Sequence, residues 1–472
     1  MTFDSVVFWL FMPIAWAAWR MLPFGLAKSA LVILSLVFYA WWNPAYVLLI
    51  LASAALDYAI GRALSRATAE SVRKRLVVLS IALNLGLLGF FKYTPLALAT
   101  LGNVGGFAPD QDLLDSWIVP VGISFFTFQT LSYSIDLYRR RVEPAKSFRD
   151  FLLYVAFFPQ LVAGPIVRAR SFLPQLEQRS RLSPLRLRYG AYRCIEGLFL
   201  KVVVADGLAP AVQMSFDQAS GVLSTAGAWY AAILFGAQIF ADFAGYTGIA
   251  IGVACLLGLR FPENFRAPYL STSLSEFWTR WHISLSSWLR DYLYVPLGGN
   301  RRGPVRTYVN LMIVMLLGGL WHGAAWNFVI WGGLHGIGLA LMRVVSRRRG
   351  ERPLGRASLA AAWLGVFAFV HVTWVFFRAQ DHATAMTFME AMLIDPLRAL
   401  GGAEGALDGR MASSRYAVLL VPVAVIHGAQ WAHERLGAPR SEIMRAVAAG
   451  LMLFGITIFR RAESFQFIYF QF

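Results

Sequence analysis

One imidazole stands out in this chain because of its surroundings. His322 lies in GGLWHGAAW at 318–326, within an apolar run that extends over 309–342. A titratable side chain at membrane depth is costly to keep, so an intramembrane histidine is a functional candidate by default. With an ordinary pKa near 6.5, it suits general-base removal of a proton from a hydroxyl nucleophile. Such a base usually works beside a second polar group, and two candidates precede it: Asn310, twelve residues upstream, and His282, forty upstream. Twelve residues of unbroken helix rise about 18 Å and turn about 120°, so Asn310 reaches His322 only if the helix breaks at Gly318 and Gly319. His282 is therefore the preferred partner. The competing interpretations are a merely buried, hydrogen-bonded His322 and an ordinary interfacial His282. His335, in GGLHG, is expected to pack or to line a tunnel rather than to act as a base. Cys194 and Cys255 make no CxxC or Cys/His spacing, so neither a metal site nor a disulfide framework is expected. HExxH, GxSxG, phosphate-loop and dinucleotide motifs are also missing, which removes support for proteases, lipases, ATPases and dehydrogenases.

The elements that position these residues must be membrane helices. Of 472 residues, 58% are hydrophobic and 15% charged, and the mean hydropathy is +0.56. Runs of the roughly 20 apolar residues needed to cross a hydrocarbon core recur along the chain. The pattern predicts an all-α polytopic protein of about eleven or twelve membrane segments in a single domain over 1–472. The net charge of +17 would raise the question of nucleic acid in a soluble protein. Here the basic residues cluster at 62–75, 139–146, 168–193, 301–306 and 343–356, while 109–115, 216–227 and 380–409 are acidic or weakly basic. That alternation follows the positive-inside rule and places the basic loops in the cytoplasm. Asp4 before the first apolar run and Arg20 after it reverse a signal peptide's charge order, so the first helix is expected to be retained with its N-terminus outside.

Two stretches break the simple pattern. The segment 151–166 lies between basic loops and contains Pro159, Gly164 and Pro165, which predicts a re-entrant or interfacial element. The segment 271–296 mixes aromatics with Glu276, Arg280, His282, Arg290 and Asp291. Phe277, Trp281, Leu285, Trp288 and Tyr292 recur on one helical face, the mark of an amphipathic helix that does not cross. The run carrying His322 also has basic residues at both ends. It is expected to enter from the cytoplasm and return, with the histidine near the deep end of a helical hairpin.

The motifs WHISLSSWLRDYLYVPLGG and VNLMIVMLLGGLWHGAAWNFVIWGGLHG resemble the signature of the membrane-bound O-acyltransferase family, in particular its alginate O-acetyltransferase branch. Further similarity runs through FDSVVFWLF at 3–11, SFFTFQTLSYSIDLYR at 124–139, FFPQLVAGPIVR at 157–168, RFPENFRAPYLS at 260–271, WVFFRA at 374–379 and FIYFQF at 467–472. The densest motifs fall within 118–345. One departure is FADFAGYTGIAIG at 240–252, where the family pattern has an acidic residue at the position of Gly248. The resemblance implies a bundle around a tunnel open to a cytoplasmic acyl donor, with His322 as the catalytic histidine and His282 as the second. It also implies acetyl-CoA or another acetyl thioester as donor substrate, with no bound cofactor. Trp321, Trp281 and neighbouring aromatics would exclude the water that hydrolyses a thioester.

The tail resembles an FxYxxF element of related acyl-transfer systems, which implies a transient acyl carrier at Tyr469. A phenol with pKa near 10 needs a base to become a good nucleophile, and His322 could serve. The alternative is an aromatic end anchored at the interface. Together these features imply a bacterial inner-membrane enzyme with both termini periplasmic. It would acetylate an exported polysaccharide such as alginate through periplasmic acetyltransferase partners. A flippase for an acylated or lipid-linked intermediate, or D-alanylation of teichoic acid, are the competing functions.

Overall fold

The computed structural model describes residues 1–106, 110, 112, 114, 117–162, 164–217, 223–350, 355–396, 414–437, 441–459 and 465–468. Its regular elements are helices, with no strand among the described residues. Eight described helices are long and apolar enough to cross a membrane: Ala45–Arg66, Glu70–Gly105, Thr225–Leu256, Gly303–His322, Trp326–Arg348, Arg356–Arg378, Arg415–Leu436 and Glu442–Phe459. Two shorter apolar helices, Val6–Met21 and Phe24–Ala40, precede them. The protein is an all-α, multi-pass membrane protein. The chain divides into two compact units, Met1–Ile195 with Tyr246–Pro262, and Glu196–Gly245 with Glu263–Phe472.

In the first unit, α1 (Val6–Met21), α2 (Phe24–Ala40), α3 (Ala45–Arg66) and α4 (Glu70–Gly105) precede a buried helix, α5 (Ile123–Tyr138). Only 16 residues of the apolar 117–138 run are helical in α5, because Gly122 adopts a left-handed backbone (φ 78°) and starts the helix late. Asp57 of α3 is fully buried, and its carboxylate accepts hydrogen bonds from Ser80 Oγ (2.9 Å) and Asn84 Nδ2 (2.9 and 3.0 Å) of α4. Thr130 of α5 donates in turn to Asn84 Oδ1 (2.8 Å). Three helices are tied by a satisfied polar ladder, which is how an apolar bundle tolerates a carboxyl group. The expected re-entrant stretch breaks into a nine-residue helix, α6 (Phe148–Ala156), and the single turn Phe158–Leu161. At 1.5 Å per residue, nine residues cover about 14 Å, less than half a hydrocarbon core.

The second unit positions the histidines. Helix α7 (Pro184–Phe199) passes through a π-helical stretch, Leu200–Ala205, directly into α8 (Asp206–Asp217), so the apolar run at 195–212 is helical throughout but changes its winding midway. Helix α9 (Thr225–Leu256) is the most enclosed of the long helices, with 89% of its apolar window buried. Two seven-residue helices, α10 (Leu274–Arg280) and α11 (Ile283–Leu289), replace the single amphipathic helix expected over 271–296. Its expected apolar face, Phe277, Trp281, Leu285, Trp288 and Tyr292, is nonetheless buried. The expected Glu276–Arg280 pair forms at 3.0 Å, and Arg280 also reaches Glu434 at 2.8 Å. Helices α12 (Gly303–His322) and α13 (Trp326–Arg349) make a tight hairpin. A Cβ on Gly319 would strike the Phe328 carbonyl, and one on Gly332 the Met315 carbonyl, so these glycines set the closeness of the two helices. Helices α14 (Arg356–Arg378), α15 (Arg415–Leu436) and α16 (Glu442–Phe459) follow.

Candidate active site

His322 is the last residue of α12, and the hairpin turns through Gly323, Ala324 and Ala325 before α13 begins. The imidazole is buried among rings: Trp321 at 5.1 Å between centroids, Trp331 at 5.1 Å and Phe377 at 5.3 Å. Trp331 comes from one turn and a half into α13 and Phe377 from the end of α14, so three helices build this box.

His282 supplies the remaining side, with its ring 6.2 Å from that of His322. The residue links α10 to α11 with a left-handed backbone, φ 43° and ψ 53°. That conformation costs a non-glycine residue about 1–2 kcal/mol, and its surroundings must impose it. Asn264 does so. Its backbone carbonyl accepts from Ile283 N (3.0 Å), and its side-chain Oδ1 accepts from Ser284 N (3.0 Å) and Ser284 Oγ (2.9 Å). The Ser284 N–H fixes which end of the Asn264 amide is oxygen. The third contact of Oδ1, His282 Nδ1 at 3.2 Å, must then be a donation from the ring. Burial pushes the His282 pKa down to about 3, so the ring is neutral, with its proton on Nδ1 and a lone pair on Nε2. Replacing Asn264 by Ala removes the one acceptor shared by a buried N–H, a hydroxyl and the imidazole donor. We expect a loss of about 1–3 kcal/mol of unfolding free energy, to be read by thermal denaturation in detergent; an unchanged melting temperature would remove Asn264 as the lock.

The other sequence candidates fall in different places. Trp321 packs against both histidines, 5.8 Å from His282 and 5.1 Å from His322. Trp281 is one layer back, stacked on Phe277 at 5.7 Å and 5.0 Å from Trp374. His335 is also a packing residue, with Trp331 between it and His322 (4.9 and 5.1 Å) and Nε2 3.1 Å from Thr373 Oγ1. Asn310 does not partner His322. Helix α12 runs unbroken through Gly318 and Gly319, and Asn310 Nδ2 donates to the carbonyls of Leu297 (3.3 Å) and Gly299 (2.9 Å), tying down the loop before α12. Tyr469 lies outside the described residues.

A cavity of about 550 Å³ adjoins the box through Phe377 and Phe328. Its polar lining consists of Gln213, Gln238, Asn327, Gln380, Gln466 and Arg378, and Ala324 and Ala325 of the hairpin turn form another part of its wall. Two buried imidazoles with ring centroids 6.2 Å apart, one of them neutral with a defined tautomer, suit proton transfer at a centre shielded from bulk water.

Comparison with known proteins fixes the class. The profile of the membrane-bound O-acyltransferase family matches residues 123–380. This chain belongs to the membrane-bound O-acyltransferase family. It is 39% identical to the "Probable alginate O-acetylase AlgI" of Azotobacter vinelandii over 83% of this chain and 78% of that protein. It is 36% identical to the "Peptidoglycan O-acetyltransferase" of Helicobacter pylori over 78% of this chain and 73% of that protein. A "Teichoic acid D-alanyltransferase" of Streptococcus thermophilus is 30% identical over 47% of this chain and 56% of its own length. The protein is an acyltransferase.

Three residues of this candidate site escaped reasoning on residue type and spacing. Asn264 and Phe377 lie in motifs that carry the family resemblance, RFPENFRAPYLS and WVFFRA, while Phe243, edge-on to His282 at 4.7 Å, sits in FADFAGYTGIAIG.

Proposed function

We propose that this enzyme moves acetyl from a cytoplasmic thioester, acetyl-CoA or an equivalent, across the bacterial inner membrane for O-acetylation of an exported polysaccharide, alginate or a similar polymer. The observation that carries this reading is the pairing of His322 with His282 at the tip of the α12–α13 hairpin, beside an amide-lined cavity. Both open ends of the hairpin are basic, which favours their placement in the cytoplasm. Twenty residues of α12 span about 30 Å, a full hydrocarbon thickness, which favours a tip and cavity facing the periplasm.

In this reading His322 takes the proton from the attacking hydroxyl as its oxygen bonds to the acetyl carbonyl carbon. The carbon–sulfur bond breaks, and the proton passes to the leaving thiolate. His282 faces His322 as a neutral acceptor. Carboxamides and the Arg378 guanidinium around the cavity offer donors for a hydroxyl-rich acceptor or the tip of a periplasmic acetyltransferase partner. Tyr469 is the first acceptor, and its ester then passes the acetyl group on. The relatives named for alginate and peptidoglycan acetylation, similar over more than three quarters of this chain, support acetyl over D-alanine.

Proteoliposomes with labelled acetyl-CoA on the cytoplasmic face test this. Wild-type protein is expected to carry label on Tyr469 and, given the partner and polymer on the opposite face, to deliver it as polysaccharide ester. Label that never leaves the donor compartment would overturn the proposed function. Undiminished polysaccharide acetylation by Tyr469→Phe would sink the relay alone.

A further inference from the structure

A buried ion cluster stands apart from the histidines and joins the π-helical stretch and α8 to α9, the helix that carries the Gly248 departure. Lys201, in the π-helical stretch Leu200–Ala205, is 5% exposed, and Asp206 and Asp242 are each 3% exposed. Its Nζ lies 2.7 Å from Asp206 Oδ1 and 3.0 Å from Asp242 Oδ1. An ammonium has three N–H donors, and burying it is tolerable only when all three are used. The third goes to the backbone carbonyl of Phe465, at 2.8 Å. Asp242 does the complementary thing: its Oδ2 accepts the backbone N–H of Ile468 at 2.7 Å. The ion pair thus grips a four-residue stretch of main chain at both ends, by a carbonyl at 465 and an amide at 468.

We infer that Lys201, Asp206 and Asp242 form a clamp that seats the C-terminal segment 465–468 beside the histidine pair, making Lys201 and Asp242 positioning residues for acyl transfer. Side chains fill what the backbone fixes. Phe467 and Ile468 are both buried, and Phe467 lies 6.1 Å from Phe243, the ring that borders His282. Phe465, Gln466 and Ile468 form part of the cavity wall. An ion pair serving only to staple the π-helical stretch to α9 would have no need to spend one donor and one acceptor on the tail. Because the clamp holds main chain, it fixes the register of the segment 465–468. The catalytic consequence rests on the acyl-transfer reading; the clamp itself does not.

The test uses the full chain in nanodiscs and two variants. Asp242→Asn keeps the shape but removes the charge that faces Lys201; Ile468→Pro leaves the ion cluster intact and deletes the N–H it holds. Hydrogen exchange of residues 465–468 in Asp242→Asn, and of the remaining amides 465–467 in Ile468→Pro, is expected to accelerate at least tenfold, with exchange across α9 unchanged. Acyl transfer is expected to fall at least tenfold in kcat, with the donor KM within twofold of wild type. Tail exchange that stays at the wild-type rate in Ile468→Pro overturns the clamp, whatever Asp242→Asn does to folding. Accelerated exchange with full transfer activity overturns the positioning role alone. A wild-type protein that exchanges as expected but transfers no acetyl counts against the proposed function and leaves the clamp standing.

Discussion

His322→Ala is expected to lower acyl transfer by about 10²–10⁴-fold, the range lost when a positioned general base is removed. The residue is enclosed by Trp321, Trp331, Phe377 and His282, and the one titratable neighbour among these, His282, is held in place through its Nδ1 contact with Asn264. His322→Gln should behave the same way, because an amide holds much of the shape and a hydrogen-bond capacity but cannot accept a proton near neutral pH. Both variants should bind donor normally, leaving KM close to wild type, since the interaction lost belongs to the transition state. Transfer measured on purified protein, with melting temperature alongside, decides the matter. A rate within tenfold of wild type for a folded His322→Gln would end the general-base role. It would also revive the idea of a passive conduit for an acylated intermediate, which needs no base.

Gly319→Val is expected to be the most damaging conservative-looking change in the fold. A side chain at 319 meets the Phe328 carbonyl, and one at 332 meets the Met315 carbonyl, so the obstruction on either side is backbone that cannot rotate away. Overpacking of this kind costs about 1–3 kcal/mol, and more where helices must separate. Separation also shifts His322, less than a turn beyond Gly319, relative to Trp331 across the hairpin. Melting temperature and activity should therefore fall together. Gly365, in the middle of α14 with nothing within 4 Å of where a methyl group would sit, is the control. Gly365→Ala should be neutral or stabilising by up to about 1 kcal/mol, as expected from helix propensity. If Gly319→Val melts and turns over like the control, the hairpin does not depend on close approach.

Much of the site was legible because its costliest group announced itself. An imidazole in an apolar run demands an explanation, and only His282 offered a comparable second group once the rotation argument limited Asn310. The limit held because α12 is continuous, and Asn310 serves the preceding loop. The break between α10 and α11 was hidden because the apolar face carries on through both short helices, leaving periodicity intact across a residue whose backbone reverses hand. Asn264 was illegible for the same reason: its value lies in holding that reversal, and an asparagine among loop residues carries no such mark. Apolar length overstated the helix at 117–138, where a left-handed glycine starts α5 late, while 195–212 is helical throughout and only changes to π winding over Leu200–Ala205. Charge placement fared better at 151–166, where two basic flanks ruled out a single crossing and the helices are indeed too short to make one.

The left-handed backbone at His282 bears on how this position can change over time. Only glycine, asparagine and aspartate visit that conformation with ease, and histidine is among the few others enriched there. In the proposed mechanism two independent filters therefore act on one residue: the fold admits a handful of side chains, and proton chemistry admits fewer still. Histidine satisfies both, and of the three residues at ease there only aspartate also carries a group that can accept a proton. Drift through alanine, serine or a β-branched residue would meet a conformational penalty before any loss of reactivity was felt, so the site has few neighbouring sequences from which it could be lost gradually or regained.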